Sequence, residues 1–172
     1  PSVVYGLLGL GLFINLMELA TGSLLVGGMT LALLILPIVV ISAQEAVRSV
    51  PDAQRQAAYG MGATRWQTVR TVVLPEALPG ILTGTILAIG RALGETAPLI
   101  MIAAPATVFG IPDGLSSKTS AMPLQIFDWA FLPEEAFRHG VTAAGVVTLL
   151  VVLLTLNSIA IVVRNRYQNE GR

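Results

Sequence analysis

Residues 24–43, LLVGGMTLALLILPIVVISA, are 20 consecutive positions without a charge. A helix of that length crosses the hydrocarbon core of a bilayer, at ~1.5 Å of rise per residue. Three other stretches are of similar length. Residues 3–20 are interrupted by Glu18, residues 80–104 by Arg91 and Glu95, and residues 141–163 carry no charge. One such run could be the buried helix of a soluble protein. Four of them within 172 residues point to an all-α polytopic membrane protein with four transmembrane helices. Thr21-Gly22-Ser23 marks a turn between the first two. Pro37 is expected to kink the second helix without ending it, because membrane helices tolerate proline.

Composition removes the alternatives. Charged residues make up 12% and mean hydropathy is +0.77, whereas a soluble domain carries roughly 25% charged residues. The chain is too apolar for disorder and has too little charge to cover a soluble surface. Ten basic residues balance ten acidic ones, so no nucleic-acid partner is expected. There is no Cys and only one His, His139, which excludes disulfides and gives no metal site. No Gly-rich loop ends in Gly-Lys-Ser or Gly-Lys-Thr, and no nucleophile–base pair or carboxylate dyad stands out. The chain therefore reads as a non-enzyme without a cofactor, and any ATP hydrolysis belongs to another chain. No basic segment precedes the first apolar run, so that run does not read as a signal peptide. The chain opens at Pro1 inside an apolar run, and it is expected to be N-terminally incomplete.

Basic residues fix an expected orientation. Arg48, Arg55, Arg65 and Arg70 lie between the second and third runs, and Arg164, Arg166 and Arg172 follow the fourth. Residues 105–140 hold Lys118 and Arg138 against Asp113, Asp128, Glu134 and Glu135. The positive-inside rule puts residues 44–75 and 164–172 in the cytoplasm, with the 105–140 loop outside. That loop, with Pro105, Pro112, Pro123 and Pro133, is expected to include a short amphipathic segment. Phe127, Trp129, Phe131 and His139 would lie at the membrane interface.

The loop at 44–79 reads as structured. Pro51 and Asp52 suit the start of a helix ending near Met61. Gly62 suits its C-terminal cap, and Thr64 with Gln67 fits a capping box opening a second helix, expected to stop before Pro75. An amphipathic helix lying on the bilayer is the alternative. Gln56-Ala57-Ala58, then Gly62, then Val72-Val73-Leu74-Pro75 keep the spacing of the E-A-A-x3-G-x9-I-x-L-P loop. The chain thereby resembles importer permeases of the ATP-binding-cassette type, with the MetI-like fold. Gln56 stands where the family has Glu, and Val72 where it has Ile. The resemblance implies that Gln56, Ala57, Ala58, Gly62, Leu74 and Pro75 belong to a coupling segment docked on an ATPase subunit. Small side chains at 57 and 58 would let that helix approach a groove closely.

Arg91 and Glu95, four apart, would share a face within the third span. A charge at membrane depth is costly and needs a partner. The pair therefore reads either as a mutually neutralised packing device or as part of a path for a charged solute. The run RALGETAPL, with PSVVYGL and RWQT–VLP–ALPGILTG, resembles phosphate-specific importer permeases, closest to the second of their two paired permease subunits. That resemblance covers nearly the whole chain. It implies an inner-membrane subunit of a phosphate importer whose substrate path or gate includes Arg91, Glu95 and Thr96. It also implies further helices before PSVVYGL and three kinds of partner: a second permease subunit, an ATPase dimer and an extracytoplasmic phosphate-binding protein. Arg suits phosphate through its bidentate fork, and Glu could accept the proton of hydrogenphosphate or temper the arginine. The rival readings are a permease of this type for another solute and an ion-coupled transporter using Arg91–Glu95 as a relay. Gly80/Gly84 and Gly90/Gly94 are expected to allow close helix packing, as are Gly6, Gly9, Gly11, Gly27 and Gly28. Pro98 is expected to kink the third span.

Overall fold

The computed structural model describes residues 2–102, 104, 111 and 113–170. Pro105, Pro112 and Arg172, and the side chains of Arg164 and Arg166, lie outside what is described. The helices are α1 (Ser2–Gly9), α2 (Leu24–Arg48), α3 (Asp52–Gly60), α4 (Arg65–Thr68), α5 (Leu74–Leu93), α6 (Ala97–Met101), α7 (Met122–Ala130) and α8 (Thr142–Glu170). π-helical turns prolong α1 to Leu16, join α4 to α5 over Val69–Val73, and precede α8 over Ala136–Val141. Among the described residues the one β pairing is an isolated bridge between Ser23 and Lys118.

Among the described residues, three helical stretches are long and apolar enough to cross a membrane: Leu24–Arg48, Arg65–Leu93 and Ala136–Val162. The first apolar run forms a shorter helix, Ser2–Leu16. Only 6% of the apolar window of Ala136–Val162 is buried by the rest of the chain. A helix apolar around its girth and left uncovered suits lipid or other membrane helices, not water.

The chain forms two compact units, Pro1–Ile35 with Gly90–Thr155, and Leu36–Ile89 with Leu156–Arg172. The first unit has a core of Phe13, Val26, Leu99, Ile102 and Leu124. Its α1 lies against α6: a Cβ at Gly6 would come within 2.7 Å of Met101 Cβ and 2.9 Å of Pro98 Cα. The first turn of α2 leaves backbone donors that the helix itself cannot satisfy. Here Leu24 N–H goes to Ser117 O at 3.0 Å, Leu25 N–H to Leu115 O at 2.9 Å and Val26 N–H to Ser23 Oγ at 3.3 Å. Helix α7 packs on α8, where a Cβ at Gly145 would meet Ile126 Cγ1 at 2.9 Å. The Phe127 and Phe131 rings meet at a tilt of 56°, with 4.9 Å between centroids.

The second unit is built on α2 crossing α5. Its core is Ala46, Val50, Val73 and Ala77. Gly80 faces Ala46, where a Cβ would stand 2.7 Å from the alanine Cβ, and a Cβ at Gly84 would collide with Ser42 Oγ and Cβ. These two glycines set the closest approach of the helices, as expected of small residues four apart. Gly11 and Gly28 face open space, so the same expectation fails for them, and Gly94 makes only ordinary contact with Arg91 O.

Three boundaries differ from expectation. The first helix stops at Leu16, not at residue 20. Glu18 takes φ +53 and Leu19 N–H returns to Phe13 O at 3.1 Å, which reverses the chain early. The helix expected to stop before Pro75 continues from Arg65 to Leu93. Within the π turn Leu74 N–H bonds Val69 O, five residues back. The wider turn precedes the position where Pro75 has no N–H to offer. The third span does not run through residues 80–104. It ends at Leu93, where Gly94 N–H and Glu95 N–H tighten onto Arg91 O and Ala92 O at 3.1 and 3.3 Å. Pro98 then stands in the first turn of α6, where its missing donor costs nothing, so it begins a helix instead of kinking one.

Gly84→Ala should destabilise the protein in detergent by about 1–3 kcal/mol through overpacking against Ser42. Gly28→Ala, facing open space, should be neutral or slightly stabilising. Equal melting temperatures for the two variants would contradict the α2–α5 contact.

Candidate functional site

The residues singled out fall into two groups, one in each unit. In the first unit the break between α5 and α6 brings Arg91 and Glu95 together, with Thr96 next along the chain. Arg91 lies in the last turn of α5, where a cation is favoured by the exposed carbonyl end. Glu95 lies just past that end, so the two residues do not share the face of a continuous helix. They pair nonetheless, with Arg91 Nε 3.3 Å from Glu95 Oε1. The arginine side chain is 50% exposed and the glutamate side chain 16%. Ser2, at the start of α1, donates its hydroxyl to the same Oε1 at 3.3 Å. Thr96 precedes α6 without a side-chain cap, and its carbonyl accepts Leu99 N–H and Ile100 N–H at 3.1 and 3.2 Å.

A cavity of about 310 Å³ lies beside this break. Glu95 is its only charged lining residue, and Leu31, Leu93, Leu99, Met122 and Leu149 are among the rest. Apolar walls and one acid do not suit an anion. Of the two charged groups, the guanidinium carries only donors, the complement of an oxyanion's acceptors. Its Nε edge is taken by Glu95, and among the described residues its terminal amino groups have no hydrogen bond.

In the second unit, the end of α3 and the start of α4 are both locally capped. Pro51 precedes α3 and Asp52 opens it. Gly62, with φ +84, ends it. Gly62 N–H bonds Tyr59 O at 2.9 Å and Ala63 N–H bonds Ala58 O at 3.1 Å, the paired bonds of a glycine-terminated helix. Thr64 and Gln67 form the expected capping box, with Thr64 N–H to Gln67 Oε1 at 2.8 Å and Gln67 N–H to Thr64 Oγ1 at 3.3 Å. Gln56 and Ala57 are exposed and Ala58 is partly covered. Leu74 and Pro75 lie on α5, exposed, beyond the π turn.

Two features were missed in the sequence. Met61 is 89% exposed and Trp66 71%, with Tyr59 also exposed, so an apolar surface surrounds the Gly62 bend. Large apolar groups flanking a polar helix are the available signal. The Ser2–Glu95 bond joins residues 93 apart in sequence, and no local pattern announces it.

The profile of the family described as "binding-protein-dependent transport system inner membrane component" matches residues 1–168. The chain belongs to this family. It is thus a multi-pass membrane protein of the permease type, as the expected fold requires. Three relatives illustrate the range. The chain is 34% identical over 164 residues to the phosphate transport system permease protein PstA 1 of Mycobacterium tuberculosis, covering 95% of this chain and 53% of that protein. It is 35% identical over 163 residues to the phosphate transport system permease protein PstA of Yersinia pestis, covering 95% and 54%. It is 35% identical over 167 residues to the probable ABC transporter permease protein YqgI of Bacillus subtilis, covering 88% and 56%. The chain spans about half the length of the curated relatives it matches.

Gly62→Ala in this permease should strain the left-handed bend by about 1–2 kcal/mol. Amide exchange at Ala63, bonded to Ala58 O, should speed up accordingly, and unchanged protection would contradict the capping geometry.

Proposed function

We propose that the chain is part of the membrane-spanning permease subunit of an ATP-driven importer of inorganic phosphate. The carrying observation is the half-exposed Arg91 guanidinium, held through Nε by Glu95 at a helix end. It occurs in a chain whose relatives include proteins named as phosphate transport permeases. Held this way, the guanidinium keeps its two terminal amino groups for the oxygens of a tetrahedral oxyanion. Glu95 orients the arginine and lowers the net charge of the site, so that a passing anion is bound without being trapped. Thr96, the next residue in the chain, is read as part of the same path or gate. Alternating access would expose this site to each side of the membrane in turn.

The second group is read as the contact with an ATPase. Gln56, Ala57, Ala58 and Gly62 form an exposed helix and its bend, and Leu74 and Pro75 follow. The surrounding Tyr59, Met61 and Trp66 provide apolar area to bury in a partner. A helix with no buried residue in its own chain is suited to being buried elsewhere. The reading requires residues 44–75 and 164–172 in the cytoplasm and 105–140 outside. Its partners are a second permease subunit, an ATPase dimer and an extracytoplasmic phosphate-binding protein.

Uptake by the assembled importer tests the arginine. Arg91→Lys keeps the charge but loses the fork, and should lower phosphate uptake about tenfold while assembly persists. The double variant Arg91→Ala with Glu95→Ala removes the pair without leaving either charge alone. It should assemble and fail to transport. Full phosphate uptake by that double variant would refute a substrate role for the pair. A bulky charge at Ala58→Glu should leave insertion intact and abolish ATP-dependent uptake. Single cysteines at Gln54 and Ser116 should label from opposite faces of the membrane, and labelling of both from one face would overturn the topology.

A further inference from the structure

Val47 lies in the last turn of α2, where carbonyls lack a partner from the helix itself. The donor that would complete its bond is the N–H of the residue four positions on. That residue is Pro51, which has no N–H. Arg55 supplies the missing donor from within α3. Its Nη2 donates to Val47 O at 2.6 Å, across 8 residues of sequence. The same guanidinium faces Asp52 Oδ1 through Nε at 3.8 Å, and Nε is buried without a hydrogen bond. The arginine therefore spans from the carbonyl end of α2, where the α2 dipole favours a cation, to Asp52 in the first turn of α3.

Little else attaches α3 to α2; its other contacts are with α4 and the π turn over Val69–Val73. The helix has no buried residue, and only Arg55 and Ala58 are partly covered. The connector before it is anchored at Val50, which is buried against Val73 and Ala77. Beyond that anchor α3 leans on α4 and Val69–Val73, and its direct tie to α2 is left to a side chain that bridges the bend. Arg55 makes the one hydrogen bond from an α3 side chain to α2 among the described residues.

We propose that Arg55 is a positioning residue that locks α3 to the end of α2, so that a force applied to α3 moves the membrane helix. The proposal rests on the reading of α3 as the helix that docks on the ATPase. It assigns a transmitting role to a residue outside the Gln56–Gly62 pattern. Without the bridge, α3 would follow the ATPase while α2 stayed behind.

The test uses the full-length permease, assembled with its second permease subunit, its ATPase and its binding protein in liposomes. Phosphate moved per ATP hydrolysed is measured for the unaltered complex, Arg55→Ala and Arg55→Lys. Arg55→Ala should retain ATP hydrolysis while the ratio falls about tenfold, the effect of losing one charge-assisted hydrogen bond. Arg55→Lys retains a charged donor and should lie between. A nitroxide at Gln54 should become more mobile in Arg55→Ala. An unchanged ratio, or uptake and hydrolysis falling in step, would overturn the proposal. Where the alanine variant does not assemble, the lysine variant decides: a lowered ratio supports the lock and an unchanged ratio refutes it. A cross-linker at Gln56 separates the two readings. Failure to reach the ATPase would refute docking by α3, whereas cross-linking with an unchanged ratio would refute the role of Arg55 alone.

Discussion

Backbone polar groups inside a bilayer have no water to bond, so each apolar segment must satisfy them internally. This constraint makes α2, the Arg65–Leu93 stretch and Ala136–Val162 helical. It also concentrates everything unusual at their ends. Carbonyls and amides left over at a helix terminus need partners, and loop carbonyls and the polar side chains of this otherwise apolar chain supply them. Ser23 caps the start of α2, Arg55 caps its end, and Arg91 sits at the carbonyl end of α5. The candidate sites are therefore places where a helix stops.

The same constraint accounts for the cost of the Arg91–Glu95 pair. A lone charge near membrane depth is expensive, whereas a pair with a hydroxyl on one oxygen is tolerable. Ser2 provides that hydroxyl from α1, and Gly6 lets α1 approach α6 closely enough to hold it there. Replacing the pair by apolar residues would make a simpler helix end.

Local chemistry was legible in the sequence and remote chemistry was not. Gly62, Thr64 and Gln67 announced the helix ends around the loop, because a left-handed glycine and a capping box act over three or four residues. The glycine spacing of 80 and 84 was legible as close packing, and its partners Ser42 and Ala46 were not. Pro75 and Gly94 were misread for opposite reasons. A π turn carries the helix past the proline, and two short i→i−3 bonds end it at a glycine that helical spacing would have passed. The bonds Ser2–Glu95 and Arg55–Val47 depend on how segments pack. Only the second left a trace, in the proline that deprives Val47 of its donor.

ATP dependence is the property that most directly separates this account from a gradient-driven transporter built on the same charged pair. Labelled phosphate uptake should be measured in liposomes holding the full-length permease, its second permease subunit and its ATPase, with the binding protein outside. The account predicts uptake only with hydrolysable ATP on the ATPase side, and none from a proton or sodium gradient alone. Uptake driven by such a gradient without ATP would contradict it.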